Sequence, residues 1–304
     1  MLETIQREAE ISFPMLGGLR LNPPSYFTLF GRPVYFYGVL IGLGFLLGIT
    51  FCARRAKRFG LKEDDVYDVM IWLIPCSILG ARLYYVLFRL DYYLAHPDEI
   101  FAVWNGGLAI YGGVIAGVLA AYFVCRHKKI PFPAMLDNLT FGLLIGQIIG
   151  RWGNFLNREA FGAETEIFCR MGLTAPDGTT ICVHPTFLYE SLWNLGVLLF
   201  LLWFEKTGKR RFDGHCMTLY FLLYGLGRFW IESLRTDSLY LGNTGIRVSQ
   251  ALSLVLVLAS SALLLYMRSR PFSPDDLYVN RVAAAEAAII MKNTQKEETK
   301  HDGL

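Results

Sequence analysis

The sequence predicts an all-α, polytopic membrane protein with about seven transmembrane helices and a small extracytoplasmic cap between helices four and five. Three observations carry this. Of the 304 residues, 54% are hydrophobic and only 18% are charged, which is more apolar surface than one soluble core can hide. The apolar residues fall in runs of roughly 18 or more, each long enough to cross a hydrocarbon core as a helix. Their apolar character is all-round rather than alternating, which favours helices over a transmembrane barrel.

The seven expected spans are residues 35–53, 66–88, 107–125, 134–151, 186–204, 215–234 and 247–267. Residues 1–34 form an N-terminal extracytoplasmic segment. They lack the basic-then-apolar build of a cleaved signal peptide, so the first span is expected to be retained. Lys and Arg near span ends stay cytoplasmic. Arg54, Arg55, Lys57, Arg58 and Lys62 follow span one, Arg126, Lys128 and Lys129 follow span three, and Lys206, Lys209, Arg210 and Arg211 follow span five. Those three loops are therefore inside, the N-terminus outside, and the tail of residues 268–304 a flexible cytoplasmic extension. The formal net charge of +3 adds little.

Within this frame most polar residues have two readings. Gly42, Gly44 and Gly48 in span one suit close helix packing. Arg82, two turns from the outer end of span two, costs about 2 to 3 kcal/mol there unless it snorkels or finds a partner. The third span opens with Gly106-Gly107-Leu108-Ala109-Ile110-Tyr111-Gly112-Gly113, a backbone that either a ligand or another helix can approach. Asp137-Asn138 reads as a solvated helix start after Pro131 and Pro133.

The densest polar run is Gly150-Arg151-Trp152-Gly153-Asn154-Phe155-Leu156-Asn157-Arg158-Glu159, continuing to Gly162. Arg151, Asn154 and Asn157 are three apart and share a helix face, with Glu159 just beyond. They bring a cation, two amides and a carboxylate to headgroup depth, and the planar fork of Arg suits phosphate. Residues 155–185 then form the cap, with Pro176-Asp177-Gly178 as a hairpin turn. Cys52, Cys76, Cys125 and Cys216 read as apolar filler, whereas Cys169 and Cys182, thirteen apart on the oxidising side, are expected to form a disulfide. The cysteine spacings fit neither a zinc site nor a redox pair, and no metal, cofactor or nucleic-acid partner is expected. His184 opens span five, as either a capping residue or a base. Tyr224, Arg228, Glu232 and Arg235 recur at helical spacing along span six, a stripe that should not face lipid.

These runs resemble the motifs of bacterial prolipoprotein diacylglyceryl transferases. The match includes Gly150-Arg151-x-Gly153-Asn154-Phe155-x-Asn157-x-Glu159-x-x-Gly162, Tyr37-Gly38, Gly80-Ala81-Arg82 and Gly112-Gly113. It continues through His184-Pro185-Thr186-x-x-Tyr189-Glu190 and Tyr224-Gly225-x-x-Arg228-Phe229-x-x-Glu232-x-x-Arg235, covering residues 33–267. The resemblance implies transfer of a diacylglyceryl group from phosphatidylglycerol to the lipobox cysteine of prolipoprotein signal peptides, in the bacterial inner membrane. Arg151 and Arg228 are then expected to grip the phosphate. Asn154, Asn157 and Glu159 would hold the glycerol headgroup or position Arg151, and Arg82, Gly162, His184, Tyr224, Glu232 and Arg235 would line the substrate site. Tyr111 stands where some members have His, so Tyr111 or Tyr37 is left to assist proton transfer. A transporter or channel for an anionic solute is the alternative, although no internal repeat is visible.

Overall fold

The computed structural model describes residues 9–242 and 244–301; the first eight residues of the N-terminal segment and the last three of the tail lie outside the described residues. The chain is mainly helical: α1 Phe36–Arg55, α2 Glu63–Leu87, the short α3 Leu90–Ala95, α4 Ile110–His127, α5 Phe132–Asn157, α6 Thr186–Lys206, α7 His215–Leu234, α8 Val248–Ser269 and α9 Tyr278–His301. Among the described residues six strands form: β1 Glu10–Phe13, β2 Leu19–Leu21, β3 Tyr26–Leu29, β4 Arg32–Tyr35, β5 Met171–Thr174 and β6 Thr180–Val183.

Among the described residues six helices are long and apolar enough to cross a membrane: α1, α2, α4, α5, α6 and α8. The seventh expected span exists as α7, yet it does not meet that standard. The polar stripe of Arg228 and Glu232 dilutes its apolar character; the two pair with each other, and Arg228 also pairs with Glu190 of α6. The protein is thus an all-α polytopic membrane protein with small added sheets.

The chain divides into two compact units, with boundaries inside α1 and α5. The first comprises Met1–Gly48, Thr140–Arg210 and His215–Pro271. Here α5, α6 and α7 are tied by side chains in the apolar interior: Gln147 Nε2 donates to Tyr220 Oη at 2.8 Å, Ser191 Oγ to the Ile148 carbonyl at 3.1 Å, and Trp193 Nε1 to the Leu223 carbonyl at 2.9 Å. Each bond satisfies a polar group that lipid would leave bare. Two of the three α1 glycines pack as expected, since a Cβ on Gly44 would sit 3.2 Å from the Gly146 Cα and one on Gly48 2.8 Å from the Gly142 carbonyl oxygen, whereas a Cβ on Gly42 would meet nothing within 4 Å.

The cap contains the hairpin its turn signal predicts, β5 and β6 around Gly178, whose φ of 88° suits glycine. The sequence reading did not foresee that the N-terminal segment completes it. Strand order is β2-β1-β5-β6, all antiparallel, with Ile11 opposite Leu173 and Leu21. Ile11, Met171, Leu173 and Val183 pack with Phe155 and Phe187, seating this sheet on the end of α5 and the start of α6.

The expected bridge between Cys169 and Cys182 is not present. Both thiols are free. Cys182 lies on β6 opposite Gly172, whereas the Cys169 sulfur turns to Tyr189 Oη at 3.4 Å.

Arg158 fastens the N-terminal segment. Left-handed at φ 52° just past α5, and 3% exposed, it donates to the carbonyls of Ala9 at 2.8 Å, Leu156 at 2.7 Å and Pro23 at 2.8 Å, and to Asn22 Oδ1 at 2.8 Å. Burial pulls its pKa below the ordinary arginine value.

The second unit comprises Ile49–Leu139, Arg211–Gly214 and Phe272–Leu304. In it α2 and α4 cross closely at Gly80 and Gly112; a Cβ on Gly80 would lie 2.7 Å from the Gly112 oxygen. Asp137 and Asn138 are fully buried rather than solvated. Asn138 exchanges hydrogen bonds with Cys52, its Nδ2 donating to the Cys52 carbonyl at 3.1 Å, while Asp137 accepts from the Gly214 N–H at 2.9 Å. The tail, expected as a flexible extension, instead carries α9. Its first N–H, of Tyr278, donates to Asp213 at 3.1 Å, and Arg281 pairs with the same carboxylate at 3.2 Å.

Hydrogen bonds from a charged donor contribute about 1.5 to 3 kcal/mol each when a partner is otherwise left unpaired. Arg158→Ala removes these four contacts and a fifth, to Ser25 Oγ at 3.2 Å, so thermal unfolding of the purified protein should show a loss of about 3 kcal/mol or more. The segment before α1 should also become the first site of proteolysis.

Candidate active site

In the first unit the polar residues of three helices converge on one carboxylate. Glu190, in the first turns of α6 and 4% exposed, receives Arg151 from α5 and Arg228 from α7. Arg151 Nη2 is 2.7 Å from Oε2, and Arg228 Nη1 is 2.5 Å from Oε1. A third cation, Arg235, reaches the same Oε1 at 3.7 Å from the turn after α7. Arg228 also uses its other prong on Glu232, one helical turn on, at 2.6 Å. Buried charges are tolerated when paired, and each carboxylate here has an arginine nitrogen within 2.7 Å.

Two extensions lead away from this centre. Along α5, Arg151 Nη1 donates to Asn154 Oδ1 at 3.3 Å, and Asn154 Nδ2 donates to Glu159 Oε1 at 2.9 Å. Asn157 Nδ2 reaches the same oxygen at 3.3 Å. The shared face expected from the three-residue spacing is therefore real, and the left-handed Arg158 and Ala160 (φ 58°) turn the chain so that Glu159 folds back onto it. Beyond α7, Arg235 grips Asp237 with two prongs, at 2.9 and 2.7 Å. Burial works against the Asp237 carboxylate, yet the Arg235 fork outweighs it and holds the pKa below the usual range.

Two glycines of the signature owe their identity to close approach. At Gly153 a side chain would collide with the Tyr37 ring, which packs directly on the backbone of α5 there. At Gly162 a Cβ would fall 2.7 Å from the His184 Cβ and 2.9 Å from the Leu234 oxygen. There the Gly162 N–H donates to His184 O at 2.9 Å and the Ala163 N–H to Leu234 O at 2.7 Å. Gly162 thus locks the cap to the end of α7.

The other expected site residues take other places. Tyr224 stacks on Tyr220 along α7, with centroids 5.3 Å apart. His184 Nδ1 is 3.4 Å from Tyr189 Oη, and burial lowers its pKa, which favours the neutral ring. Tyr111 begins α4 in the second unit. Arg82, also in that unit, is 2% exposed and spends its guanidinium on the carbonyls of Glu99 at 2.6 Å, Ile100 at 2.9 Å, Gly106 at 2.7 Å and Gly107 at 3.1 Å. It does not snorkel; it clamps the loop between α2 and α4.

The sequence reading overlooked Glu190 as a site residue, although it stood inside a matched motif. Asp237 and Arg247, whose Nη1 donates to the Glu232 carbonyl, were missed because neither shares a helix with its partner. A single buried Glu at the start of an apolar helix was the available signal.

A membrane-embedded bundle with an Arg–Glu cluster at its polar end is the class of protein this site defines. The particular family follows from comparison. Residues 24–266 match the family model described as prolipoprotein diacylglyceryl transferase, and the chain belongs to that family. It is 41% identical to a protein of Finegoldia magna over 82% of this chain and 98% of the relative. It is 43% identical to one of Clostridioides difficile (80% and 95%) and 45% identical to one of Enterococcus faecalis (81% and 90%). All three relatives are named phosphatidylglycerol–prolipoprotein diacylglyceryl transferase. Membership of this family sets aside the transporter or channel reading.

Removing one partner of a buried ion pair costs about 3 to 5 kcal/mol because the other charge stays behind. Glu190→Ala leaves Arg151 without a carboxylate and Arg228 with Glu232 alone, so it should lower stability by about that much in thermal unfolding, whereas Asp237→Ala, at a half-exposed carboxylate, should cost far less.

Proposed function

We infer that this chain transfers the diacylglyceryl group of phosphatidylglycerol to the thiol of the lipobox cysteine in prolipoprotein signal peptides, forming a thioether and releasing glycerol phosphate. The observation that carries the reading is the meeting of Arg151 and Arg228 on the two oxygens of Glu190. Two planar forks held at the width of one carboxylate are close to the geometry that a phosphate accepts.

In this reaction the thiol sulfur attacks the glyceryl carbon that carries the phosphate ester. The carbon–oxygen bond breaks, its electron pair leaves on the phosphate, and the thiol proton ends on that leaving group. A thiol with a pKa near 8.5 is only a few per cent ionised at neutral pH, so a positive field is needed to favour the thiolate. The same field stabilises the growing charge on the phosphate. Arg151 and Arg228 supply it, exchanging part of their contact with Glu190 for contact with the lipid phosphate. Asn154, Asn157 and Glu159 hold the glycerol headgroup, and Arg235 and Glu232 keep Arg228 in place. Tyr37, against Gly153, and Tyr111 are the candidates for relaying the proton. A phenol hydroxyl acts as a base only with help from a neighbouring group.

The setting is the bacterial cytoplasmic membrane, with α7 as a seventh crossing helix whose charges face the bundle. The N-terminus and cap lie outside, and the basic loops and tail inside. Reporter fusions at residues 170 and 300 should report opposite sides; signals from one side would overturn this topology.

Removing a preorganised donor from a site of this kind costs roughly a hundredfold or more in rate. Arg151→Ala and Arg228→Ala should each lose that much in transfer of labelled lipid to a lipobox peptide, with Lys rescuing only in part because it lacks the two-pronged fork. Tyr111→Phe should lose little if that hydroxyl only positions. Near-wild-type transfer by either folded Arg→Ala variant would end the phosphate-clamp mechanism.

A further inference from the structure

The ribbon of β3 and β4 takes no part in the arginine cluster, and its make-up calls for another explanation. Its strands pair Tyr26 with Tyr35, Phe27 with Val34, Thr28 with Pro33 and Leu29 with Arg32. The turn between them runs through Phe30 and Gly31, both left-handed, at φ 50° and 76°. Glycine adopts that conformation freely, but a bulky aromatic residue seldom does. Phe30 is also 96% exposed, so no packing within the described residues compensates for it. Tyr26, Phe27, Leu29 and Tyr35 are exposed as well. In water a two-stranded ribbon with neither face covered is marginally stable at best.

The base of the ribbon, in contrast, is firmly held. The Phe36 N–H donates to the Ser25 carbonyl at 3.0 Å, Ser25 Oγ donates to the Leu156 carbonyl at 3.0 Å, and Arg158 Nη1 donates to Ser25 Oγ at 3.2 Å. The Phe27 ring packs 5.3 Å from that of Phe36, the first residue of α1. A fixed base and a bare apolar tip describe a finger held against an apolar surface outside the protein.

We propose that the β3–β4 ribbon is a membrane-surface finger whose Phe30 tip seats in the boundary between headgroups and acyl chains, in the leaflet where α1 begins. Three features select lipid over a protein partner. The ribbon runs without a linker into α1, a helix apolar enough to cross the membrane. Four residues of strand span about 13 Å, so the tip stays within reach of the leaflet that α1 enters. From Ser25 to Phe36 the only charged side chain is Arg32, beside the tip, with no carboxylate, which suits an anionic lipid surface. The Tyr and Phe residues are of the type that gathers where hydrocarbon meets water. Depth is limited by the backbone. Each strand is paired on one edge only, and its open N–H and C=O groups need headgroups or water, so the tip enters while the edges remain at the interface.

The test does not depend on the phosphate clamp. The full chain is made with the photoreactive residue p-benzoylphenylalanine in place of Phe30, reconstituted in vesicles of phosphatidylglycerol and phosphatidylcholine, irradiated, and analysed by mass spectrometry. The expected result is a phospholipid adduct on the tip peptide, in several-fold higher yield than with the same group in place of Asp177 at the exposed turn of the cap. A second placement, at Leu29, should give the adduct too. Equal yields at the two turns, a crosslinked second copy of the chain, a crosslinked lipobox peptide, or no adduct at either tip position would each overturn the proposal.

Discussion

The architecture of the first unit depends on one carboxylate. Glu190 is almost wholly buried at the start of a helix otherwise suited to lipid, and alone it would be costly to place there. Its surroundings make the burial tolerable: Arg151 from α5, Arg228 from α7 and Arg235 from the turn beyond α7 all direct their charge to it. The reverse also holds, because three guanidiniums drawn to one point would repel one another without the carboxylate between them. Helix packing in a membrane lacks the hydrophobic drive that works in water. An ionic centre of this kind therefore does more than neutralise charge, since it defines which faces of α5, α6 and α7 turn inward.

That centre is connected to the sheet-bearing end of the unit through backbone rather than through more charge. Gly162 and Ala163 bond to His184 and Leu234, so the loop after the signature run, the entry to α6 and the exit of α7 are held together. The four-stranded sheet is seated on the same ends by Phe155 and Phe187. Arg158 secures the N-terminal segment to the last turn of α5 with bonds to carbonyls and one amide. One helix end thus serves two tasks, and neighbouring residues divide them: Arg151, Asn154 and Asn157 face the polar centre, and Arg158 faces the sheet. Arg82 repeats the second task in the other unit, where it holds the loop between α2 and α4 by its carbonyls.

For the chemistry, the arrangement places cations where they are already partnered. In the proposed reaction the lipid phosphate would compete with Glu190 for forks of Arg151 and Arg228 that are in position, so little reorganisation would be needed when charge develops on the leaving group. The asparagines act one step further out. Asn154 stands between Arg151 and Glu159, accepting from one and donating to the other, which orients its amide without ambiguity.

Local information was enough for much of this. Hydropathy alone placed the long helices within a few residues, because a span must be apolar over its own length. Spacing of three and four put Arg151, Asn154 and Asn157 on one face and joined Arg228 to Glu232, since helical neighbours are set by the helix itself. The Pro-Asp-Gly turn marked the cap hairpin for the same reason. What depended on residues far apart in the chain was decided only by the tertiary structure. Ile11 pairs with Leu173 across more than half the chain, Cys169 turns to Tyr189 instead of Cys182, Asn138 is buried against Cys52, and Arg82 meets the carbonyls of a loop 17 to 25 residues on. Glu190 is the clearest case. By itself it is one acidic residue in an apolar helix, and it becomes a centre only when two other helices bring arginines to it, which no local pattern of sequence encodes.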